Sequence, residues 1–591
     1  MGKVASIKGR GSSVLKALRS IDRLSLILVI ASATLLFVFI FLPIFTIVYN
    51  AFEEPDGGIG LKNFENFWTT PSYLRGLRNS VISAFLTLAL ASAIGVPVAF
   101  VMTRYNFPGK RIFTLLTILP LMVPPFVGAL AITGMLGRNG TITNFLQWLF
   151  QSLGLDVALE GGFIQPSIFS IVFIQTLHLW PLIYLNTSAS LSKIDPTLEE
   201  SAKNLGASGL KLFRRVTLPL AFPGFAAGAL LVFLWSLSDL GTPIMINFPE
   251  YSVFQAFTEF IIEGGYKEIA SVISIVITAI SALALLLVTR YVGLKEYAVV
   301  RAGAAPRAIQ RKAGKKLSVM ILLSLTILII ASVIPHIGTL IMAFTTRPAY
   351  GDWIPRGVTM EYMIRALSEE SSSTAVANSL TYSLLASFFD IFLGAAIAYL
   401  LVRKKFPGKS LLDIVSMMPF AIPGIVIGLG YIHLFSRPII GNFRLTSIWF
   451  ILVISYAMRR LPYAVRSAHA VLQQVHESLE EAASNLGATK IKTLMSITIP
   501  LIMPGLVAGA VLTFINCFTE VSTSLMLQPI IGPFGFNASP LALQIFRESK
   551  GGPTAVRVAS CLGVIQIIAT IIGLYITNKL LGGKAGLAFG G

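Results

Sequence analysis

Blocks of about 20 consecutive apolar residues recur along this chain, and no other property limits its folding as much. A block of that length matches the hydrocarbon thickness a helix must cross. A backbone in lipid must also satisfy its own hydrogen bonds, which leaves helices or closed barrels. Twelve candidate helical spans are read near 24–48, 79–103, 112–136, 167–190, 220–247, 267–292, 317–344, 378–403, 410–435, 446–470, 500–527 and 555–580. The expected fold is therefore an all-α integral membrane protein with about twelve transmembrane helices. The first apolar run, Leu24 to Val48, is too long for the h-region of a signal peptide and reads as a retained anchor.

Only 12% of the 591 residues are charged, about half the roughly 25% of a soluble domain. The net charge of +19 does not point to nucleic acid, because Lys and Arg punctuate the apolar runs instead of gathering on folded faces. It reads as topology. Lys3, Lys8, Arg10, Lys16, Arg19 and Arg23 precede the first span; Arg104, Lys110 and Arg111 follow the second; Arg403, Lys404, Lys405 and Lys409 follow the eighth. With the basic segment 290–316 these fall on one side of twelve spans, whereas 49–78 and 345–377 carry Glu53, Glu54, Asp56, Asp352, Glu369 and Glu370. The positive-inside rule then predicts an inner-membrane protein with both termini cytoplasmic. Cys517 and Cys561 lie far apart in apolar surroundings, which offers neither a disulfide framework nor a CxxC metal site.

The chain repeats itself. NFPGKRIFTLLTILPLMVP at 106–124 aligns with KFPGKSLLDIVSMMPFAIP at 405–423, a shift of 299 (405 − 106). TLEESAKNLGASGLKLFRRVTLPLAFPG at 197–224 aligns with SLEEAASNLGATKIKTLMSITIPLIMPG at 478–505, a shift of 281 (478 − 197). The difference fits a longer loop around 137–166 in the first half. Two six-helix halves in parallel orientation follow: 1–293, a basic Ala-rich linker at 294–316, and 317–591. Parallel repeats related by an axis along the membrane normal commonly place a substrate route between them.

The repeated loop segment holds Glu200, Ser201, Ala202, Gly206, Val216, Leu218 and Pro219 in one copy and Glu481, Ala482, Ala483, Gly487, Ile497, Ile499 and Pro500 in the other. A polar helix-forming stretch, a glycine at its C-terminal turn and a proline at the return to the membrane predict a small rigid projection. Pro223-Gly224 and Pro504-Gly505 then interrupt the following span. The segment resembles the EAA-x3-G-x9-I-x-L-P loop of permease subunits of ATP-binding-cassette importers that work with a binding protein. That resemblance implies that each loop forms a coupling helix docked on an ATPase chain. Glu200, Ala202, Gly206, Pro219, Glu481, Ala483, Gly487 and Pro500 are the residues it assigns to docking. It implies as partners two copies of an ATPase subunit, an extracytoplasmic substrate-binding protein and membrane lipid, with no nucleic acid.

The chain has no G-x-x-x-x-G-K-[ST] phosphate loop; Gly408-Lys409-Ser410 comes nearest, but Arg403 stands where its first glycine belongs. No nucleophile elbow, dinucleotide fingerprint or His/Cys ligand spacing is present. No cofactor is expected on this chain, and ATP with magnesium is expected on the partner. A gradient-driven secondary transporter would share the twelve spans and two halves, yet it has no need of two ATPase-docking loops.

The whole chain further resembles the ferric-iron branch of these permeases, with SDLGTP at 238–243 and FTEVSTSLMLQP at 518–529 as the finer cues. By resemblance the group also includes transporters of aminoethylphosphonate, thiamine and sugar phosphates. Ionisable groups inside a membrane are costly and mark candidate sites. Asp239 and Glu520 align across the repeat, and Asp239, Thr242, Arg459, Arg460 and Glu520 are the candidate pathway residues. Oxygen ligands suit ferric iron, whereas paired guanidinium groups facing the positions of His178 and Trp180 suit an oxyanion. Two readings of the acids stand beside each other. They line the route, or they accept hydrogen bonds from groups such as Thr242 and Ser522 and pin their helices. The arginines likewise either meet substrate or pair with Glu520. Asp390 reads as structural or near an interface, and His433 as a solvated or hydrogen-bonded residue.

Overall fold

The computed structural model describes residues 22–580 except 55–56, 123–124, 139, 156–160, 263–266, 300–310, 347–356, 439–440, 442–443, 530 and 536. The basic residues from Lys3 to Arg19, Asp56, Asp352 and the centre of the linker lie outside these. The principal helices of the first half are α1 (Arg23–Phe52), α2 (Pro71–Arg104), α3 (Lys110–Leu116), α4 (Pro125–Leu136), α5 (Ile168–Leu191), α6 (Pro196–Asn204), α7 (Leu218–Ser238), α8 (Gly241–Met245) and α9 (Lys267–Val299). Their repeats are α10 (Lys315–Phe344), α11 (Glu370–Arg403), α12 (Lys409–Met417), α13 (Gly424–Phe435), α14 (Phe450–Leu472), α15 (Ser478–Asn485), α16 (Ile499–Phe518), α17 (Ser522–Leu527) and α18 (Pro553–Leu580). Among the described residues nine helices are long and apolar enough to cross a membrane, and two bent pairs raise the number to eleven. The twelfth expected span is α14, whose Arg459, Arg460 and Arg466 deny it the apolar run of its counterpart α5.

Two spans expected to be straight are broken, and proline chemistry explains where. The carbonyls of Pro120 and Pro419 would each accept from the residue four positions on, which is Pro124 or Pro423 and has no N–H. The α-helices end before these prolines, at Leu116 and Met417, and α13 turns 107° away from the segment Lys409–Phe420. The spans expected at 220–247 and 500–527 also end early, at Ser238 and Phe518. In the first, Pro243 removes the amide that the carbonyl of Asp239 would need.

The molecule divides into two compact units that do not coincide with the two sequence repeats. Among the described residues, one holds Val48–Val376 and Ser539–Ile571, and the other holds 22–47, Ala377–Ala538 and 572–580. Packing thus exchanges the leading helix of each half. In the first-half unit, Trp180 of α5 donates its indole N–H to Ser332 of α10 at 3.0 Å. In the second-half unit, Tyr431 of α13 donates to the carbonyl of Phe39 in α1 at 2.8 Å. A two-residue parallel pairing of Tyr105–Asn106 with Arg311–Lys312 fastens the end of the linker just before α10.

The core of the first-half unit gathers Ala91, Val98, Trp180, Ile183, Leu191 and Leu325. Small residues set the helix spacing: a Cβ on Gly95 of α2 would lie 2.7 Å from Cβ of Ile183 in α5, so the two backbones meet only because that position is glycine. The second-half unit packs Ala398, Ala468, Leu472, Ile502 and Leu506 together.

Candidate functional sites: the repeated loops and the buried acids

Each repeated loop is a short helix closed by a left-handed glycine. Asp195 caps α6 by accepting from the amide of Thr197 at 2.9 Å, and Pro196 occupies the first turn, where no N–H is needed. The helices end at Gly206 (φ 84°) and Gly487 (φ 82°). Beyond them the amides of Ala207 and Ala488 reach back to the carbonyls of Ala202 and Ala483 at 2.9 and 3.0 Å, a Schellman closure in both copies. The return to the membrane is also shared. Pro219 and Pro500 offer no amide to the carbonyls of Arg215 and Ser496, and the preceding turns, Phe213–Thr217 and Leu494–Thr498, widen to π-helical bonding.

The two adjacent glutamates of each motif have different surroundings. Glu199 accepts from Arg104 Nη2 at 2.6 Å and from Thr217 Oγ1 at 2.8 Å. Its repeat Glu480 accepts from Arg403 Nε at 3.0 Å, and Arg403 also donates to the carbonyl of Val475. Each pair ties a loop helix to the end of α2 or α11. Glu200 and Glu481, the residues the motif names, are exposed. So are Leu205 and Leu486, both 89% exposed at the last turn of the two loop helices. Ala202 is half-buried and Ala483 buried, which seats each helix on the protein. The motif does not single out Arg104, Glu199, Leu205, Arg403, Glu480 or Leu486. The signal for them lay in the duplication, since all six recur as identical pairs.

The acids expected mid-helix lie at helix breaks. Asp239 follows α7, and its Oδ1 accepts the amide of Thr242 at 3.1 Å; Glu520 follows α16, and its Oε1 accepts the amide of Thr523 at 3.2 Å. Each acid thus receives the start of the next short helix, α8 or α17, in a geometry the repeat preserves. Their remaining partners differ. Gln175 donates to Asp239 Oδ2 at 3.0 Å while its own carbonyl oxygen accepts from Thr87 and Ser236, and no cation pairs with Asp239 among the described residues. Glu520, only 4% exposed, pairs with both Arg459 and Arg460, the latter at 2.6 Å. At the position of Arg459 the first half has His178, bonded to the carbonyl of Pro120 at 2.7 Å.

Asp390 is fully buried in α11 and accepts from Thr513 of α16 at 3.2 Å. His433 sits half-buried in the last turn of α13. Cys517 and Cys561 are both buried free thiols. Among the described residues no group of three or more His, Cys, Asp or Glu side chains could hold a metal ion.

Many apolar membrane helices in two repeats, each carrying one projecting EAA-type loop and one acid at a broken span, define a multi-pass transport permease. The chain belongs to the family of binding-protein-dependent transport system inner membrane components, which it matches twice, over residues 91–296 and 390–582. It is 28% identical over 508 residues to a Haemophilus influenzae protein whose name assigns it to a ferric transport system, covering 83% of this chain and 76% of that one. It is 27% identical to the ferric transport system permease protein FbpB of Actinobacillus pleuropneumoniae, over 77% of this chain and 64% of the relative. A shorter relative, the molybdenum transport system permease protein ModB of Escherichia coli, is 34% identical over 35% of this chain and 92% of its own length.

Proposed function

We propose that this permease carries ferric iron across the inner membrane by alternating access of its two halves, driven by two copies of an ATPase chain docked on α6 and α15. An extracytoplasmic binding protein delivers the substrate, and ATP and magnesium are held by the ATPase. One observation carries the docking assignment: the two loops expose the same glutamate and the same leucine, Glu200 with Leu205 and Glu481 with Leu486. An exposed leucine beside an exposed glutamate, repeated at the same position of both loops, suits a docking face with an apolar centre and a polar rim. The proposed orientation has both termini on the ATPase side; it is supported by the basic loops after α2 and α11, which lie next to the docking helices that Arg104 and Arg403 tie to them.

The names of the longer relatives support iron. The arginine pair and the molybdenum-transporting relative favour an oxyanion as the second reading. Against it, both guanidinium groups are already engaged by Glu520, so much of their attraction for an anion is spent inside the protein. The experiment is uptake by vesicles containing the permease with its ATPase and binding protein, using labelled iron and, separately, labelled molybdate and a labelled phosphonate. ATP-dependent accumulation of iron alone is the expected result. Accumulation of an oxyanion without iron would overturn the substrate assignment and leave the importer assignment standing.

A further inference from the structure

Within the first-half unit two buried histidines converge on the break between α3 and α4. His178 of α5 lies 2.7 Å by Nδ1 from the carbonyl of Pro120, and His336 of α10 lies 2.8 Å by Nε2 from the carbonyl of Leu119. A carbonyl can only accept, so each of those nitrogens carries the ring hydrogen. In the neutral rings the opposite nitrogens, His178 Nε2 and His336 Nδ1, are lone-pair acceptors, and neither has a hydrogen-bond partner among the described residues. Both side chains are at least nine-tenths buried, so bulk solvent does not serve them.

The same two residues line a cavity of about 10 Å³ together with Pro120, Ile174, Ser332 and Pro335. That is the space of one water molecule. Ser332 Oγ accepts from Trp180 Nε1, which leaves the serine hydroxyl hydrogen to donate. The wall thus supplies two acceptors and one donor. A water has two hydrogens and spare lone pairs, so a single molecule satisfies all three groups. A metal ion is a poor match: the cavity has two neutral imidazoles, one serine hydroxyl and no carboxylate.

We propose that His178, His336 and Ser332 form a buried binding site for one water molecule, which donates to both imidazoles and accepts from the serine. The water joins α5 and α10 through the two rings that hold the carbonyls of the broken span, and the bond from His178 to the Pro120 carbonyl replaces the helix bond that Pro124 cannot make. The second half has no such node at the matching position, because Arg459 replaces His178 and Ile44 occupies the place of His336 in α1.

The test is nitrogen-15 NMR of the full chain in lipid nanodiscs with its five histidines labelled, resonances being assigned with His178→Gln and His336→Gln. The expected spectrum has His178 protonated at Nδ1 only and His336 at Nε2 only, with magnetisation passing from water to His178 Nε2 and His336 Nδ1. Opposite tautomers, or transfer to one or neither of these nitrogens while exposed His476 receives it, would overturn the site. Ser332→Ala should keep both tautomers and weaken the transfer; undiminished transfer would remove Ser332 from it.

Discussion

Arg403 and Glu480 lie 3.0 Å apart with side chains only 8% and 15% exposed, joining the last residue of α11 to the first turn of α15. Arg104 and Glu199 repeat the pair at 2.6 Å in the other half. The adjacent glutamates of each EAA-type loop therefore divide two tasks: the first anchors the loop to a membrane helix, and the second stays free on the surface.

Removing one partner of the anchor leaves the other charge poorly solvated. Arg403→Met should destabilise the second-half unit by about 3 kcal/mol, and Arg403→Met with Glu480→Met should cost less than the sum of the single changes. Thermal unfolding of the four proteins in detergent measures this. Additive losses would show that the two side chains do not act on each other.

The free face predicts a different outcome. Leu205→Asp and Leu486→Asp should each weaken ATPase binding by about 2 kcal/mol, or about 30-fold, and leave thermal unfolding unchanged, since 89% of each leucine is already in solvent. Glu200→Lys with Glu481→Lys should abolish substrate-stimulated ATP hydrolysis in the assembled complex. Co-purification and ATPase assays report both effects. Full stimulation in the lysine variant would refute docking through these loops.

Asp239 and Glu520 share a repeat position, but their loss should differ. Glu520→Gln leaves Arg459 and Arg460 buried without their carboxylate, and should cost about 3–5 kcal/mol. Asp239→Asn keeps a carbonyl oxygen for the Thr242 amide and should cost about 1 kcal/mol. Stability and expression level separate the two, and equal losses would contradict the asymmetry of their partners.

The tether at the start of α1 should hold through neutral pH and weaken in acid. Burial works to raise the pKa of Asp22, but the Ser25 amide and the Lys404 ammonium outweigh it and hold the carboxyl well below its usual 3.8. Lys404 is also raised: burial opposes its charge, and the contacts with Asp22 and Tyr399 more than offset that. A depressed acid contributes stability that is complete above its unfolded value and is lost as pH falls through its folded value; a raised base loses its contribution only as pH rises through its own. The stability deficit of Asp22→Asn should therefore be flat from about pH 5 to 9 and shrink as pH drops below the usual carboxylate range. A deficit that changed between pH 6 and 8 would rule the pair out as its cause.

The sequence by itself determined the helical membrane fold, the duplication and the two loops, because each rests on local chemistry. Apolar runs of bilayer length leave a helix no alternative to spanning, and Gly206 and Gly487 turn the chain wherever they stand. Proline positions also foretold the breaks, in that Pro124, Pro243 and Pro423 lack the amides that the residues four before them require; reading 112–136 and 410–435 as straight spans overlooked that count. Only the tertiary structure decided which buried charges meet. Glu520 lies 60 and 61 residues from Arg460 and Arg459, and Asp239 64 from Gln175. Nothing in hydropathy says that one acid receives two guanidinium groups and the other an amide. The exchange of α1 and α10 was likewise invisible, since an apolar helix is equally soluble in lipid beside either half. Its place is settled by particular contacts, Tyr431 with the carbonyl of Phe39 and Ser332 with Trp180, which exist only once the helices pack.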